Sequence, residues 1–322
     1  MNRRCCRLLI LALLMPGPAL AEWLTASWDV MGTRASVELW QQDQEGVAAI
    51  ELVKQEFQRL NQLLSPWIET SELARVNALA GQQPVTVSTE FYQLLETSRQ
   101  YSVVTDGAFD ITFASAGHLY DFRAGIEPDA DALQAAVASI GMQRLLLHPD
   151  STVSFTSPGT RIDLGGIAKG YAIDQAIDLL RGAGIEHAWV SLGGDSYTLG
   201  DRRGRLWQVG IRHPRSDNEV ILKVPVENLA VSTSGDYQRF FIQDGQRVHH
   251  IINPGTGKSA GELASVTILS ERSIDADALS TSVFVMGSKR GMQLVESMPG
   301  VSAIMVTLSG EVLYSSDLLA SD

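Results

Sequence analysis

Asp277 and Thr281 lie four residues apart in Asp275-Ala276-Asp277-Ala278-Leu279-Ser280-Thr281. On a helix that spacing puts them on one face. A carboxylate beside a hydroxyl is hard-oxygen ligation, suited to magnesium or calcium; Asp followed by Ser and Thr is also an ordinary helix cap. A second segment reads as strand, glycine turn and helix start: Arg161-Ile162-Asp163-Leu164-Gly165-Gly166-Ile167-Ala168-Lys169-Gly170-Tyr171. Glycines let a backbone approach a ligand closely, free N–H groups at a helix N-terminus bind phosphate, and Lys169 adds charge there. The spacing is neither the dinucleotide fingerprint nor a P-loop, so neither mechanism transfers.

A third segment, Val248-His249-His250-Ile251-Ile252-Asn253-Pro254-Gly255, reads as a strand entering a turn. A His at a strand end can act as general acid or base near neutral pH. Adjacent strand residues face opposite ways and no third ligand is evident, which argues against a zinc site. The fourth is Thr105-Asp106-Gly107-Ala108-Phe109-Asp110-Ile111-Thr112, where Phe109 could stack on a ligand or fill the core and Asp110 could orient a ligand or cap a turn. Together these give a phosphate cradle, a hard-cation site, a titratable His and aromatic surfaces. That set fits metal-dependent cleavage of a nucleotide pyrophosphate, and the residues alone go no further.

The elements that must position them are mixed rather than strictly alternating. Thr25 to Trp40 reads as a strand pair turning at Met31-Gly32-Thr33. Val47 to Leu64 has helical periodicity, with Ile50, Val53, Phe57, Leu60 and Leu64 on one face. Phe91–Ser102, Ala130–Ala138, Ala168–Arg181 and Asp275–Met286 read as further helices. Strands are expected at Arg161–Leu164, Ala188–Leu192, Trp207–Arg212, Val220–Val226, Ala230–Ser232, Arg239–Ile242 and Ser265–Leu269, with a closing hairpin of Ala303–Leu308 and Val312–Tyr314. Runs of strands between separated helices predict an α+β fold in one domain, with mixed or antiparallel sheets and flanking helices.

The beginning of the 322-residue chain looks like an export signal. Arg3, Arg4 and Arg7 precede the short apolar run Leu8 to Met15, then Pro16-Gly17-Pro18 and a small-residue site, Ala19-Leu20-Ala21, before Glu22. That layout predicts a cleavable signal peptide over 1–21 and a periplasmic product of residues 22–322. Both cysteines, Cys5 and Cys6, fall within the signal, leaving no thiol for a disulfide or metal. Loss of three arginines leaves 22 basic against 37 acidic residues, about −15. So acidic a chain is a poor nucleic-acid binder and suits anionic ligands handled through a cation. No later stretch is long and apolar enough for a membrane helix, so the product is not expected to be an integral membrane protein.

In this order the segments resemble the blocks of the ApbE family, the FAD:protein FMN transferases. Asp163 to Tyr171 and Asp277 to Thr281 are the specific blocks; Gly107-Ala108-Phe109-Asp110, His250-Ile251-Ile252-Asn253-Pro254 and Leu64-Ser65-Pro66-Trp67 support them. The resemblance implies an ApbE-like domain that breaks the FAD pyrophosphate with Mg2+ and joins FMN to a Thr or Ser hydroxyl of a target protein, releasing AMP. Targets in the family include membrane-bound redox subunits that face the periplasm. It implies a metal site at the Ala168 carbonyl and the Asp277 and Thr281 side chains, with Ser280 nearby. It implies FAD contacts at Met31, Trp67, Ala108, Phe109, Asp110, Gly165, Tyr171 and Ile252, with Asp163 and Lys169 in the same block. His250 is its candidate for deprotonating the target hydroxyl. Near Trp67 the family often has Tyr or Asn, a position linked to the choice between transferring FMN and hydrolysing FAD. Trp keeps a stacking surface with a different polar tip, which leaves open a metal-dependent FAD pyrophosphatase. A non-enzymatic periplasmic flavin-binding protein is the third reading, and the paired ligands Asp277 and Thr281 argue against it.

Overall fold

In the computed structural model the described residues are 22–41, 43–216 and 219–319; the expected export signal lies outside them. The chain opens with β1 (Glu22–Val30) and β2 (Thr33–Gln41), paired antiparallel across a two-residue turn. Met31 (φ 53°) and Gly32 (φ 69°) both take left-handed backbone there, the geometry that matches the twist of a tight hairpin. For Met this conformation costs roughly 1–2 kcal/mol, so the turn is held by its surroundings rather than by its own preference.

Next come α1 (Asp43–Leu64), α2 (Glu72–Leu79), β3 (Val85–Thr86), α3 (Thr89–Val104), α4 (Ala114–Gly117), α5 (Ala130–Val137), β4 (Leu145–Leu147) and β5 (Thr152–Phe155). The helix expected from Val47 begins a few residues earlier and buries Val53, Phe57, Leu60 and Leu64 as its spacing requires. Ser71 caps α2 and Ser88 caps α3, each accepting a backbone N–H from three residues on.

The second half holds α6 (Ala168–Gly182), β6 (Ala188–Leu192), β7 (Asp195–Leu199), β8 (Trp207–Arg212), β9 (Val220–Val226), β10 (Leu229–Gly235), β11 (Phe240–Gln243), β12 (Gln246–His249), β13 (Leu263–Ser270), α7 (Ser273–Glu296), β14 (Ser302–Thr307), β15 (Val312–Tyr314) and α8 (Ser316–Leu319). Eight strands form one sheet in the order β1-β2-β6-β7-β10-β13-β14-β15, every neighbour antiparallel. Smaller sheets join β3-β5-β4, β8-β9 and β11-β12. The expected α+β class is what forms.

The core explains the layering. Every residue of β13 is buried, because both of its faces are covered. On one side α7 packs on β10 and β13, α6 packs on α7, and α1 packs on α6. On the other, Trp207, Ile211 and Val226 of the β8–β9 hairpin cover Val231, Leu269 and Ile304. The N-termini of α6 and α7 thereby meet the strand ends of β7 and β10.

One expectation needs correction. Arg161–Leu164 forms no strand and joins no sheet. Its hydrogen bonds go elsewhere: Asn77 brackets Ile162 through both backbone groups (2.8 and 2.9 Å), Ser115 takes the Arg161 N–H, and Ile111 takes that of Asp163. A single polar side chain thus does what a neighbouring strand would do. The first segment of α7 stops at Met286 as its spacing predicts, because Gly287 (φ 81°) breaks the helix there, and a second segment runs on to Glu296.

Candidate active site

Lys169 lies in the first turn of α6 and Asp277 in the first turns of α7, and the two helices meet at Gly170. A Cβ at Gly170 would stand 2.2 Å from the Ser273 carbonyl oxygen and 2.8 Å from the Asp277 Cβ, so only glycine permits this approach. The approach lets the Gly170 N–H donate to Asp277 Oδ2 at 2.9 Å. Lys169 Nζ then reaches Asp277 Oδ1 at 2.8 Å, Asp195 Oδ2 at 2.8 Å and the Gly165 carbonyl at 3.4 Å. The Asp195 contact is an ion pair lying off the hydrogen-bond direction. Burial works against the Lys169 charge, but Asp195 and Asp277 together hold its pKa above the ordinary range. Burial, opposed by Lys169, pushes Asp277 upward. One ammonium is thus shared between two carboxyl groups, and oxygen donors grouped in this way suit a hard cation.

Behind the carboxylates is a shelf of hydroxyls. Ser232 Oγ donates to Asp195 Oδ1 at 2.6 Å and lies 3.1 Å from Ser280 Oγ. Ser234 Oγ is 2.9 Å from Ser280 Oγ and 3.3 Å from Thr281 Oγ1. Ser280 is fully enclosed and also donates to the Asp277 carbonyl, so it fixes this turn of α7. Thr281 is half-buried and faces the glycine turn, where a Cβ on Gly166 would come within 3.3 Å of its Oγ1.

The same geometry narrows the expected phosphate cradle to the N–H groups of Gly166 and Lys169. The Gly165 N–H donates to Asp163 Oδ1 at 2.7 Å, those of Ile167 and Ala168 donate to the Leu164 carbonyl, and that of Gly170 donates to Asp277. Four N–H groups that would have faced an anion are already engaged. The positive end of α6 therefore stabilises the protein's own Asp277. Lys169, expected to face phosphate, is likewise held by carboxylates.

His250 stands on the residue after β12. Its backbone N–H donates to the Arg239 carbonyl at 3.1 Å, and its Nδ1 is buried with no partner among the described residues. Burial first, then the Arg239 guanidinium, push its pKa down to about 3, so the ring is neutral at physiological pH. His249 points the opposite way, as strand alternation requires: its Nε2 contacts the Ala260 carbonyl at 2.7 Å and its ring meets Phe284 edge-on. Asp163 is pushed up by burial, against the pull of Arg239 and Lys169.

The remaining expected contacts divide. Asp163, Gly165, Lys169, Asp277, Ser280 and Thr281 come together, and the Phe109 ring edge approaches Gly166. Ala168 opens α6 and is buried; Gly166 is the turn residue found against Thr281. Phe109 is a core residue packed edge-on against Tyr101, and Asp110 caps the turn at Thr112 through both N–H and hydroxyl. Ala108 lies beside them, half-exposed after Gly107. The Tyr171 hydroxyl donates to Glu90 at 2.8 Å and so is turned toward α3. Ile252 is buried and bridges Ser259. Met31 lies in its strained turn, where a Cβ on Gly32 would lie 3.8 Å from an Arg239 nitrogen. Trp67 is 90% exposed on the loop after α1.

Asp195, Ser232, Ser234 and Arg239 belong to this cluster and were not singled out by sequence. A signal for Asp195 existed in Gly193-Gly194, whose positive φ angles turn β6 into β7. Ser232 and Ser234 were marked only by the period-two spacing of a strand. Among the described residues no three His, Cys, Asp or Glu side chains group as a metal site, so a cation here needs mixed donors.

Known proteins resemble this chain over nearly all of its described length. The ApbE family model matches residues 31–305. The FAD:protein FMN transferase of Treponema pallidum (strain Nichols) is 36% identical over 298 residues, covering 86% of this chain and 82% of that protein. The FAD:protein FMN transferase of Klebsiella pneumoniae (strain 342) is 33% identical over 292 residues, covering 89% and 90%. The solved flavin transferase ApbE from Vibrio cholerae superposes with a TM-score of 0.84 at 30% identity, covering 93% of this chain and 99% of that one.

Proposed function

The chain belongs to the ApbE family, and we propose that it splits FAD and transfers the FMN half onto a Thr or Ser hydroxyl of an acceptor protein, releasing AMP. One observation carries the proposal. A carboxylate–hydroxyl pair, Asp277 and Thr281, and an unpartnered neutral imidazole nitrogen, His250 Nδ1, both border the Lys169 cluster.

The step balances as follows. The acceptor hydroxyl oxygen bonds to the flavin-side phosphorus as the bridging bond to the AMP half breaks. The hydroxyl proton goes to the His250 ring, and the electron pair leaves with AMP. A neutral ring with a free nitrogen is the form that can accept that proton.

The donor set fits Mg2+: a carboxylate oxygen on Asp277, a hydroxyl on Thr281 and the backbone carbonyl of Ala168, with a second carboxyl group, Asp195, on the far side of Lys169. When bound there, the ion would neutralise phosphate oxygens and the charge on the departing group. Ser280 and Asp195 position these groups through the hydroxyl shelf and Lys169. Exposed Trp67 offers a stacking face for the flavin or the acceptor. On the same reading the enzyme works in the periplasm after loss of residues 1–21, and its acceptor is a redox subunit facing that compartment.

The test mixes the purified chain with FAD, Mg2+ and such a subunit, then views a denaturing gel by flavin fluorescence. A fluorescent acceptor band is expected. Free FMN with a dark acceptor would make the enzyme a pyrophosphatase, and unchanged FAD would leave only a binder. His250→Ala should slow transfer about a hundredfold or more while FAD still binds; equal loss of both would remove His250 from the proton-accepting role.

A further inference from the structure

The site holds two cations that act on both His250 and Asp163, namely Lys169 and Arg239. They are not equivalent. Lys169 has three acceptors around its ammonium, two of them carboxylate oxygens at 2.8 Å. Arg239 is exposed, and its guanidinium makes no hydrogen bond or ion pair among the described residues. Nor is it remote. The β11–β12 register Phe240↔His249 continues through the His250 N–H to the Arg239 carbonyl, so Arg239 and His250 are direct cross-strand neighbours. Such a pair projects from one face with Cβ atoms about 5 Å apart. The Arg239 guanidinium also overhangs the Met31-Gly32 turn, with Nη2 3.8 Å from where a Gly32 Cβ would be.

The glycine turn supplies little of what is missing, because its N–H groups at Gly165, Ile167, Ala168 and Gly170 are engaged within the protein, which leaves those of Gly166 and Lys169 and no side-chain cation. A phosphate entering beside His250 therefore meets one uncommitted cation among these groups, and an arginine fork matches two phosphate oxygens at once. We propose that Arg239 is the anion clamp of this site, binding the phosphate of the flavin half and presenting its phosphorus to the acceptor hydroxyl next to His250. The clamp rests on the flavin-transfer reading for its substrate, but its binding to a flavin phosphate can be tested apart from any transfer.

The experiment titrates the intact protein with FMN and with riboflavin, which differ by the phosphate alone, following flavin fluorescence. Wild type should bind FMN more tightly than riboflavin. Arg239→Ala should weaken FMN roughly tenfold to a hundredfold, as for loss of a charged hydrogen-bond pair, and leave riboflavin unchanged. Arg239→Lys should fall between, and added guanidinium should restore part of the loss in the alanine variant. A structural role would move both ligands together and would not respond to guanidinium. Equal affinity of wild type for the two ligands, or an unchanged FMN affinity in Arg239→Ala, would overturn the clamp. If Arg239 discriminates FMN from riboflavin but no acceptor becomes labelled, the clamp stands and the transfer reading falls.

Discussion

At the scale of single residues, what each group can do follows from what already holds it. Lys169, Asp110 and Tyr171 all look free in the sequence, yet each is tied to protein partners: two carboxylates, a helix turn and Glu90. His250 is the reverse case, a buried nitrogen with no partner. Its pKa is pushed from 6.5 down to about 3 by burial and by Arg239. The folded state thus prefers the neutral ring, and the unfolded chain takes up the proton first. Its contribution to stability is intact above pH 6.5 and is lost as pH falls from there toward 3. Urea titrations of His250→Gln should accordingly show a shallower loss of stability between pH 6.5 and 4 than wild type. A parallel pH profile for both proteins would contradict a buried neutral His250. Asp277→Ala should abolish Mg2+-dependent turnover, and full activity in that variant would remove the cation from Asp277.

At the scale of elements, the site depends on how closely α6 approaches α7. Gly170 sets the distance, so Gly170→Ala should overpack the crossing and cost about 1–3 kcal/mol, read as a lowered urea midpoint. Asp174 of α6 caps α7 from outside, accepting the N–H groups of Ser273 (2.7 Å) and Ile274 (3.0 Å). Asp174→Ala should therefore cost about 1–2 kcal/mol, a loss to be checked in the same assay. Much of this layer was readable from sequence. Regular apolar spacing marked α1, α3, α6 and the first half of α7, and the Met31-Gly32 turn marked the opening hairpin. Arg161–Leu164 was misread because its partners, Asn77 and Ser115, are side chains far away in sequence. β7 escaped notice because Asp195 to Leu199 is buried throughout and shows no alternation.

At the scale of the whole molecule, the large antiparallel sheet does what sequence spacing cannot reveal. It carries Asp195 from β7 and Ser232 and Ser234 from β10 to the start of α7, joining residues that are dozens apart. The motif blocks at Asp163–Tyr171 and Asp277–Thr281 were legible because each is local; their supporting shell was not, because it exists only after strand pairing. The acidic balance, 37 carboxylates against 25 basic residues, directs attention to an anionic substrate met through a cation rather than through a basic surface. The proposed export is the other property of the entire chain. Mass spectrometry of the periplasmic product should find Glu22 at its N-terminus, and an intact Met1–Ala21 segment would contradict cleavage. The most direct test of the central claim is the intact mass of an acceptor subunit after incubation with this protein, FAD and Mg2+, with AMP measured in the same tube. The account requires one FMN phosphoester on a Thr or Ser per AMP released. AMP accumulating with free FMN and an acceptor of unchanged mass would contradict it.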